Sequence, residues 1–405
     1  MDSIGRQYLT LALHLDRHMP GLIDAYYGPA ELKAEVQSGE PRSVAALADD
    51  AKGLQEAIDR SDYAPRRKEY VQRQVHAMVA LIENLSGEVL GFEEEVEAYF
   101  DVTPEMTDED VFEAYHAKMD GLLPGRGPLL QRVLAWKKST ELQRPQILPI
   151  YETLVEECRR RTRSLFELPE AEEVSLQLVQ GESWLAYNWY LGHYRSRIDL
   201  NTDLPLCMDD AVPTVPHETY PGHHAERAIK DQRLYQQEGR GEHAVALSLG
   251  PEAVLTEGLA MWAWKLIFDD EELAVLLHDE LYPLARLPVA DVERDIAVMH
   301  LREVVVVVVY ANGALLLHRD GGRPQEVQDY IACQALATPE EAAKAMEFIQ
   351  DPLCRSYVFG YGVGAALLAP LLDGPDRVGN FARLLSEPFT PTQLREWAAE
   401  HGATQ

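Results

Sequence analysis

The segment Pro216-His217-Glu218-Thr219-Tyr220-Pro221-Gly222-His223-His224 sets the tightest limit on how this chain can fold. It gathers histidines and a glutamate into one short stretch and puts Pro-Gly in their midst. In an H-E-x-x-H helix the histidines are four residues apart, so both imidazoles reach one face and can share an ion. Here His217 and His223 are six apart. On a regular helix that step turns about 600° and leaves the rings roughly 120° apart. His224 returns to the face of His217 but sits about 10.5 Å along the axis, beyond the reach of metal–nitrogen bonds of about 2 Å. A regular helix therefore offers no site.

Pro221 removes a helical hydrogen bond and clashes with the preceding turn, at about 3 kcal/mol. Gly222 tolerates almost any backbone angle. Together they predict a bulge that loops out two residues, moves His223 into the place of the fourth residue after His217, and turns His224 away. The alternative is a helix that ends at Tyr220, followed by a loop that binds nothing.

A third ligand is expected from Leu255-Thr256-Glu257-Gly258-Leu259-Ala260-Met261-Trp262, an apolar helix in which an unpaired Glu257 is costly to bury. A cation offsets that cost; a partly exposed surface acid is the other reading. Glu252, at the helix start, is explained by the helix dipole. Gly258 predicts close approach of the motif helix. His217, His223 and Glu257 would leave a fourth position open, the pattern of a catalytic zinc site, with Glu218 as base. Cobalt or manganese would accept the same set.

The rest of the chain is mainly α. Helical period covers Gln7–Met19, Val44–Arg60, Arg67–Asn84, Asp108–Asp120 and Pro145–Phe166, then roughly Pro216–Gln236, Pro251–Phe268, Val289–His318, Pro324–Leu336, Pro339–Phe348 and Leu353–Leu372. Only 174–200 alternates, with aromatic and β-branched residues and turns at Gly181 and Gly192, which predicts a small sheet or ribbon of two or three strands beside the motif. The 405 residues are read as one unit with an N-terminal helical lobe (1–170) and a metal-binding catalytic lobe (171–405).

The net charge of −30 argues against nucleic acid and anionic membranes as partners, since phosphate needs a basic surface. No apolar stretch is read as long enough to span a membrane; the run Val304–Tyr310 reads as core. Asp16 and Arg17 interrupt the N-terminal apolar pattern where a signal peptide would not, so a cytoplasmic location is expected. Cys158, Cys207, Cys333 and Cys354 are too widely spaced for a cysteine zinc site and are expected to be buried thiols.

The motif resembles that of a bacterial zincin-like family known as domain of unknown function 885, with H-E-x-x-P-G-H at His217–His223 and E-G-x-A at Glu257–Ala260. The stretches 20–29, 184–190, 312–318 and 355–364 extend the likeness over most of the chain. Glu226 departs from the glutamine of many relatives, and the chain is shorter than the long secreted members. The resemblance implies a two-lobed, gluzincin-type helical fold, a Zn2+ ion and peptidase activity on short peptides. It also implies Tyr361 as oxyanion donor, with Tyr357 and Arg355 as alternatives, and His318 near the substrate or behind the ligands. On the ribbon, Asn188, Arg195 and Arg197 are candidates for holding an extended peptide, an arginine taking its terminal carboxylate; surface charge is the other reading for the arginines. Hydrolysis of a non-peptide amide or ester, and a catalytically silent metal-binding protein, are the competing functions. Oligomeric state is left open.

Overall fold

Helices carry most of the chain in the computed structural model, and many begin on residues suited to a helix start. The structure describes residues 1–289 and 291–402. Ala290 and 403–405, which fall within the expected helix Val289–His318 and the expected unit 171–405, lie outside the described residues. The first half runs α1 (Ser3–Asp16), β1 (Ile23–Tyr26), α2 (Ala30–Ser38), α3 (Val44–Arg60), α4 (Pro65–Ser86), α5 (Phe92–Phe100), α6 (Glu109–Leu122), α7 (Leu129–Ser139) and α8 (Arg144–Leu165). Then come β2 (Glu173–Val179), β3 (Ala186–Gly192), β4 (Arg195–Asn201), α9 (Met208–Glu218), α10 (His223–Lys230), β5 (Val245–Leu247) and α11 (Pro251–Ile267). The chain closes with α12 (Asp270–Leu276), α13 (Tyr282–Ala285), α14 (Val292–Ala314), α15 (Pro324–Gln334), α16 (Pro339–Gln350), α17 (Phe359–Leu372), α18 (Arg377–Ser386) and α19 (Pro391–Gly402).

Local chemistry accounts for many of these boundaries. Asp2 caps α1 by accepting from the Gly5 N–H at 2.8 Å, and Thr338 with Glu341 forms a reciprocal capping box on α16. Proline opens α4, α11, α15, α16 and α19, where its missing N–H costs nothing. The alternating stretch forms three strands in the order β2-β4-β3, with β2 parallel and β3 antiparallel to β4. A second, short antiparallel pair joins β1 to β5.

The largest buried cluster draws Leu9, Leu47, Val75 and Phe112 from the early helices together with Val305, Val309, Ile331 and Ile349 from α14–α16. In a second cluster α8 packs with the sheet, α9 and α11, through Leu154, Ile198, Val212 and Trp264. Three expectations are corrected here. Cys333 is exposed and Cys354 half-buried, while Cys158 and Cys207 are buried as expected. The predicted helix over Leu353–Leu372 begins only at Phe359, after tight turns. And α14 with its π-helical continuation, Val292–Arg319, is by length and composition apolar enough to cross a membrane, with mean hydropathy 1.5. In this fold Val298, Val305, Val309 and Leu315 are buried in the core, and the half-buried Val306 and Val307 face a cavity. Helical context wins over the β propensity of the valines.

Candidate metal centre

The continuous helix expected over Pro216–Gln236 is broken at the motif. Helix α9 starts earlier, at Met208, and ends at Glu218; α10 restarts at His223. The Gly222 N–H donates to the Pro216 carbonyl at 3.0 Å and the Ala225 N–H to the Thr219 carbonyl at 3.1 Å. Both bonds reach six residues back rather than four, so two residues are looped out, as the sequence predicts. The Tyr220–Pro221 peptide within the loop is cis. Gly222 is sterically required there: a Cβ would lie 2.0 Å from the His217 carbonyl oxygen and 2.5 Å from that of Pro216.

This break brings the rings of His217 and His223 to 4.7 Å, centroid to centroid, nearly perpendicular to each other. Helix α11 delivers Glu257 between them. Its Oε2 lies 3.3 Å from His217 Nε2 and its Oε1 lies 3.4 Å from His223 Nε2. Zinc bonds of about 2.1 Å in tetrahedral geometry set their donor atoms about 3.4 Å apart. A direct imidazolium–carboxylate hydrogen bond would instead close to about 2.7–2.9 Å. Glu257 Oε2 and His223 Nδ1 are buried without a hydrogen-bond partner. The donor set therefore fits a zinc-like ion. Burial alone would raise the Glu257 carboxyl, but His223 and His217 beside it hold it far below the usual carboxylate range.

Glycine decides how Glu257 is presented, though not through the helix expected. Gly258 meets α17: a Cβ on it would lie 2.6 Å from the Gly364 carbonyl carbon, and one on Gly364 would lie 2.2 Å from the Val254 oxygen. The backbones of α11 and α17 thus touch, which only paired glycines allow. That contact sets Tyr361 and Tyr357 over the site. Tyr357 donates its hydroxyl to Glu257 Oε1, and Tyr361 stacks on His217 at 6.2 Å. Burial and the nearby Glu257 and Glu218 push the Tyr361 hydroxyl well above its ordinary pKa, so it is a neutral donor.

Glu218 is buried beside His217. Burial raises its carboxyl to about 7, with His217 opposing the shift and Glu257 and Asp24 adding to it. Asn188 donates from Nδ2 to the Glu218 backbone oxygen at 2.6 Å, so it ties β3 to the end of α9.

Other candidates lie elsewhere. His318 bonds through Nε2 to the Ile349 carbonyl at 2.7 Å and packs on Phe92, away from the cavity lining. Arg355 is held by Glu95, through Nε at 3.0 Å and a second contact. Arg197 forks onto Asp199 at 2.8 and 3.0 Å, and Arg195 is exposed on β4. A tertiary ion pair engages Arg355 and a local one engages Arg197, and none of the three arginines lines the cavity beside His217. Glu252, explained from sequence by the helix dipole, bonds the buried Lys230 at 3.1 Å.

His224 turns away, as predicted, into a network that the sequence reading missed. Its Nε2 faces Glu172 Oε2 at 3.3 Å and its Nδ1 faces Ser196 Oγ at 2.8 Å. Glu172 also accepts from Tyr220, from Arg159 at 2.7 Å and from Arg163 at 2.6 Å. Burial would raise the Glu172 carboxyl, but the bonds from His224, Tyr220 and the two arginines bring it from 4.5 down to about 2. A folded pKa below the unfolded one means stability that is present above about 4.5 and lost as pH falls towards 2. Glu172→Gln is expected to lower stability at pH 7 and to flatten its decline between pH 5 and 2; equal slopes in urea melts of both proteins across that range would refute the assignment. Asp24 of β1 was also missed. It accepts from Arg227 at 2.6 Å and from Tyr187, and so braces α10 and β3 beside the site. Its signal was a lone acid in the apolar, aromatic run Leu22–Tyr27.

A cavity of about 370 Å3 opens onto His217, Glu218 and Tyr361. One wall is α9, through Asp209, Asp210, Pro213, Thr214, His217 and Glu218; the other is α14, through Arg302, Glu303, Val306, Val307 and Tyr310. Trp184, Leu185 and Ala186 form the rim near β3.

The sequence matches no protein-family model and no curated protein. Among solved structures it is similar to a protein described as a candidate lipoprotein from Colwellia psychrerythraea, with TM-score 0.54 and 14% identity over 94% of this chain and 71% of that one. A candidate lipoprotein of unknown function from Shewanella oneidensis gives TM-score 0.48 and 10% identity, over 88% of this chain and 72% of that one. The M32 carboxypeptidase of Deinococcus radiodurans R1 gives 0.48 and 14%, over 99% and 98%. The first of these likenesses is close enough to show a shared, mainly helical fold; at such identity the chemistry has to be argued from the site.

Proposed function

We propose that this chain is a zinc-dependent hydrolase acting as a peptidase on short peptides, with His217, His223 and Glu257 holding the ion. The observation that carries the reading is the pair of donor separations around the Glu257 carboxylate, 3.3 Å from His217 to Oε2, which has no hydrogen-bond partner, and 3.4 Å from His223 to Oε1. Zinc, when bound, supplies polarisation of a carbonyl and acidification of water. Glu218, on the cavity wall next to His217, takes the proton of the attacking water and passes it to the leaving amine. Tyr361, neutral and also on the wall, donates to the oxyanion as it develops. The fully protein-ligated pattern of a structural zinc site would not need a buried acid on the cavity wall, which disfavours a silent metal-binding protein. A digest of a peptide library, with and without chelator and read by mass spectrometry, tests the reading. Cleavage that persists after the metal is stripped would sink it.

Tyr357 is assigned to holding Glu257 rather than to the oxyanion. Tyr357→Phe is expected to weaken zinc binding about tenfold to a hundredfold, measured by competition with a chelating dye. An unchanged zinc affinity with a fallen kcat would return Tyr357 to the oxyanion role.

A further inference from the structure

The two helices that carry His223 and Glu257 are joined by more than these donors. His223, Glu226 and Lys230 step by three and four along α10, so they share one face. Opposite them α11 presents Glu257, Thr256 and Glu252, in reverse order along the chain. The helices thus meet in three rungs. His223 Nε2 lies 3.4 Å from Glu257 Oε1, the Thr256 hydroxyl donates to Glu226 Oε1 at 3.3 Å, and the Lys230 ammonium donates to Glu252 Oε1 at 3.1 Å. Lys230 also donates to Glu226 Oε1 at 2.6 Å, which ties the second rung to the third.

Glu226, Lys230 and Thr256 are buried, and Glu252 is half-buried. Burial alone would lower the Lys230 ammonium, but Glu226 and Glu252 beside it raise it, so it remains a cation. Such a buried ion pair adds little stability over apolar residues of the same volume. It does what an apolar contact cannot, because a helix that slides along its neighbour leaves the charges unpaired. None of Glu226, Lys230, Thr256 and Glu252 lines the cavity that opens onto His217, so they have no contact to offer a substrate bound there.

We infer that Glu226, Lys230 and Glu252 are positioning residues, which fix the register of α10 on α11 and through it the gap between His223 and Glu257. The inference rests on the metal-centre reading above. A slip of one helical turn would carry His223 about 5.4 Å along the axis. Metal–ligand distances hold to within about 0.2 Å, so even a small fraction of that slip spoils the site.

Lys230→Met alone would strand two carboxylates and endanger the fold, so the test replaces all three charges at similar volume, with Glu226→Met, Lys230→Met and Glu252→Gln together. This variant is expected to fold, since loss of a whole buried ion cluster is far milder than loss of one partner. Its zinc affinity, from competition with a chelating dye, should fall by about tenfold to a hundredfold. Loaded with cobalt, it should also show a visible absorption band displaced from that of wild type, which reports altered donor geometry. Asp295→Asn is the control for general loosening. Asp295 is buried, bonds Trp136 at 2.7 Å and Tyr282 at 2.8 Å, and does not line the cavity. Urea melts of the metal-free proteins place both variants on one stability scale, and Asp295→Asn should keep the wild-type zinc affinity. A folded triple variant with wild-type affinity and cobalt spectrum would overturn the positioning role while leaving the metal centre intact. So would an equal loss of zinc in Asp295→Asn. Wild-type protein that binds no zinc would instead remove the metal-centre reading, and the positioning role with it.

Discussion

Glu218→Gln is expected to lower kcat by about 100-fold to 10,000-fold while leaving zinc bound, because glutamine keeps the shape of the side chain and removes only its capacity to take a proton. The surroundings make the comparison clean. Glu218 lies next to His217 but is not one of the three clustered donors. The backbone oxygen of residue 218, held by Asn188 at 2.6 Å, is untouched by the change. Turnover near the wild-type rate in a zinc-loaded variant would remove Glu218 from the mechanism. A second readout needs no substrate. Burial raises the Glu218 carboxyl from 4.5 to about 7 in the metal-free fold. An acid with a raised folded pKa subtracts stability as pH climbs from the unfolded value through the folded one. The metal-free variant should therefore be more stable than metal-free wild type at pH 8 and gain nothing at pH 4. Thermal melts at the two pH values check this.

Gly222→Ala is expected to abolish the zinc binding proposed for His217, His223 and Glu257. The added methyl would sit 2.0 Å from the His217 oxygen and 2.7 Å from its carbonyl carbon, and neither atom can move without unwinding the end of α9. The turn must open, and the step between His217 and His223 opens with it. Overpacking of this kind costs on the order of 1–3 kcal/mol in stability. The larger effect is on the site, because metal ligands tolerate displacements of only a few tenths of an ångström. Metal analysis after dialysis should find little zinc in the variant. Gly53→Ala is the control: Gly53 lies inside α3 with nothing within 4 Å of its would-be Cβ, and the change there should be neutral or stabilising. Full zinc occupancy in Gly222→Ala would mean that the looped turn does not set the ligand spacing.

Much of the fold was legible because its signals are local. The predicted Val44–Arg60 coincides with α3, and the predicted boundaries of α4, α8 and α11 fall within two residues of those observed. Apolar period, proline at the first turn and capping side chains act within a few residues of one another. The strands β2–β4 were found for the same reason, through alternation. Shorter helices such as α2, α5 and α7, and the strands β1 and β5, were not found, since segments of three to eleven residues offer too few periods to read.

The candidate site divides along the same line. His217, Pro221, Gly222 and His223 lie close together in the chain, so covalent geometry alone required the break, and Glu257 betrayed itself as an acid in an apolar helix. Which arginine faces the cavity, which tyrosine touches Glu257, and which helix meets Gly258 were decided only by contacts between distant residues. Arg355 and Glu95 are 260 positions apart, and Tyr357 and Glu257 are 100 apart. Neither spacing has a helical or strand period to announce it. The sequence by itself determined a helical chain with a broken motif and three candidate metal donors. The tertiary structure decided how the donors are buttressed and what the cavity can hold, because burial and charge pairing exist only once remote segments are packed together.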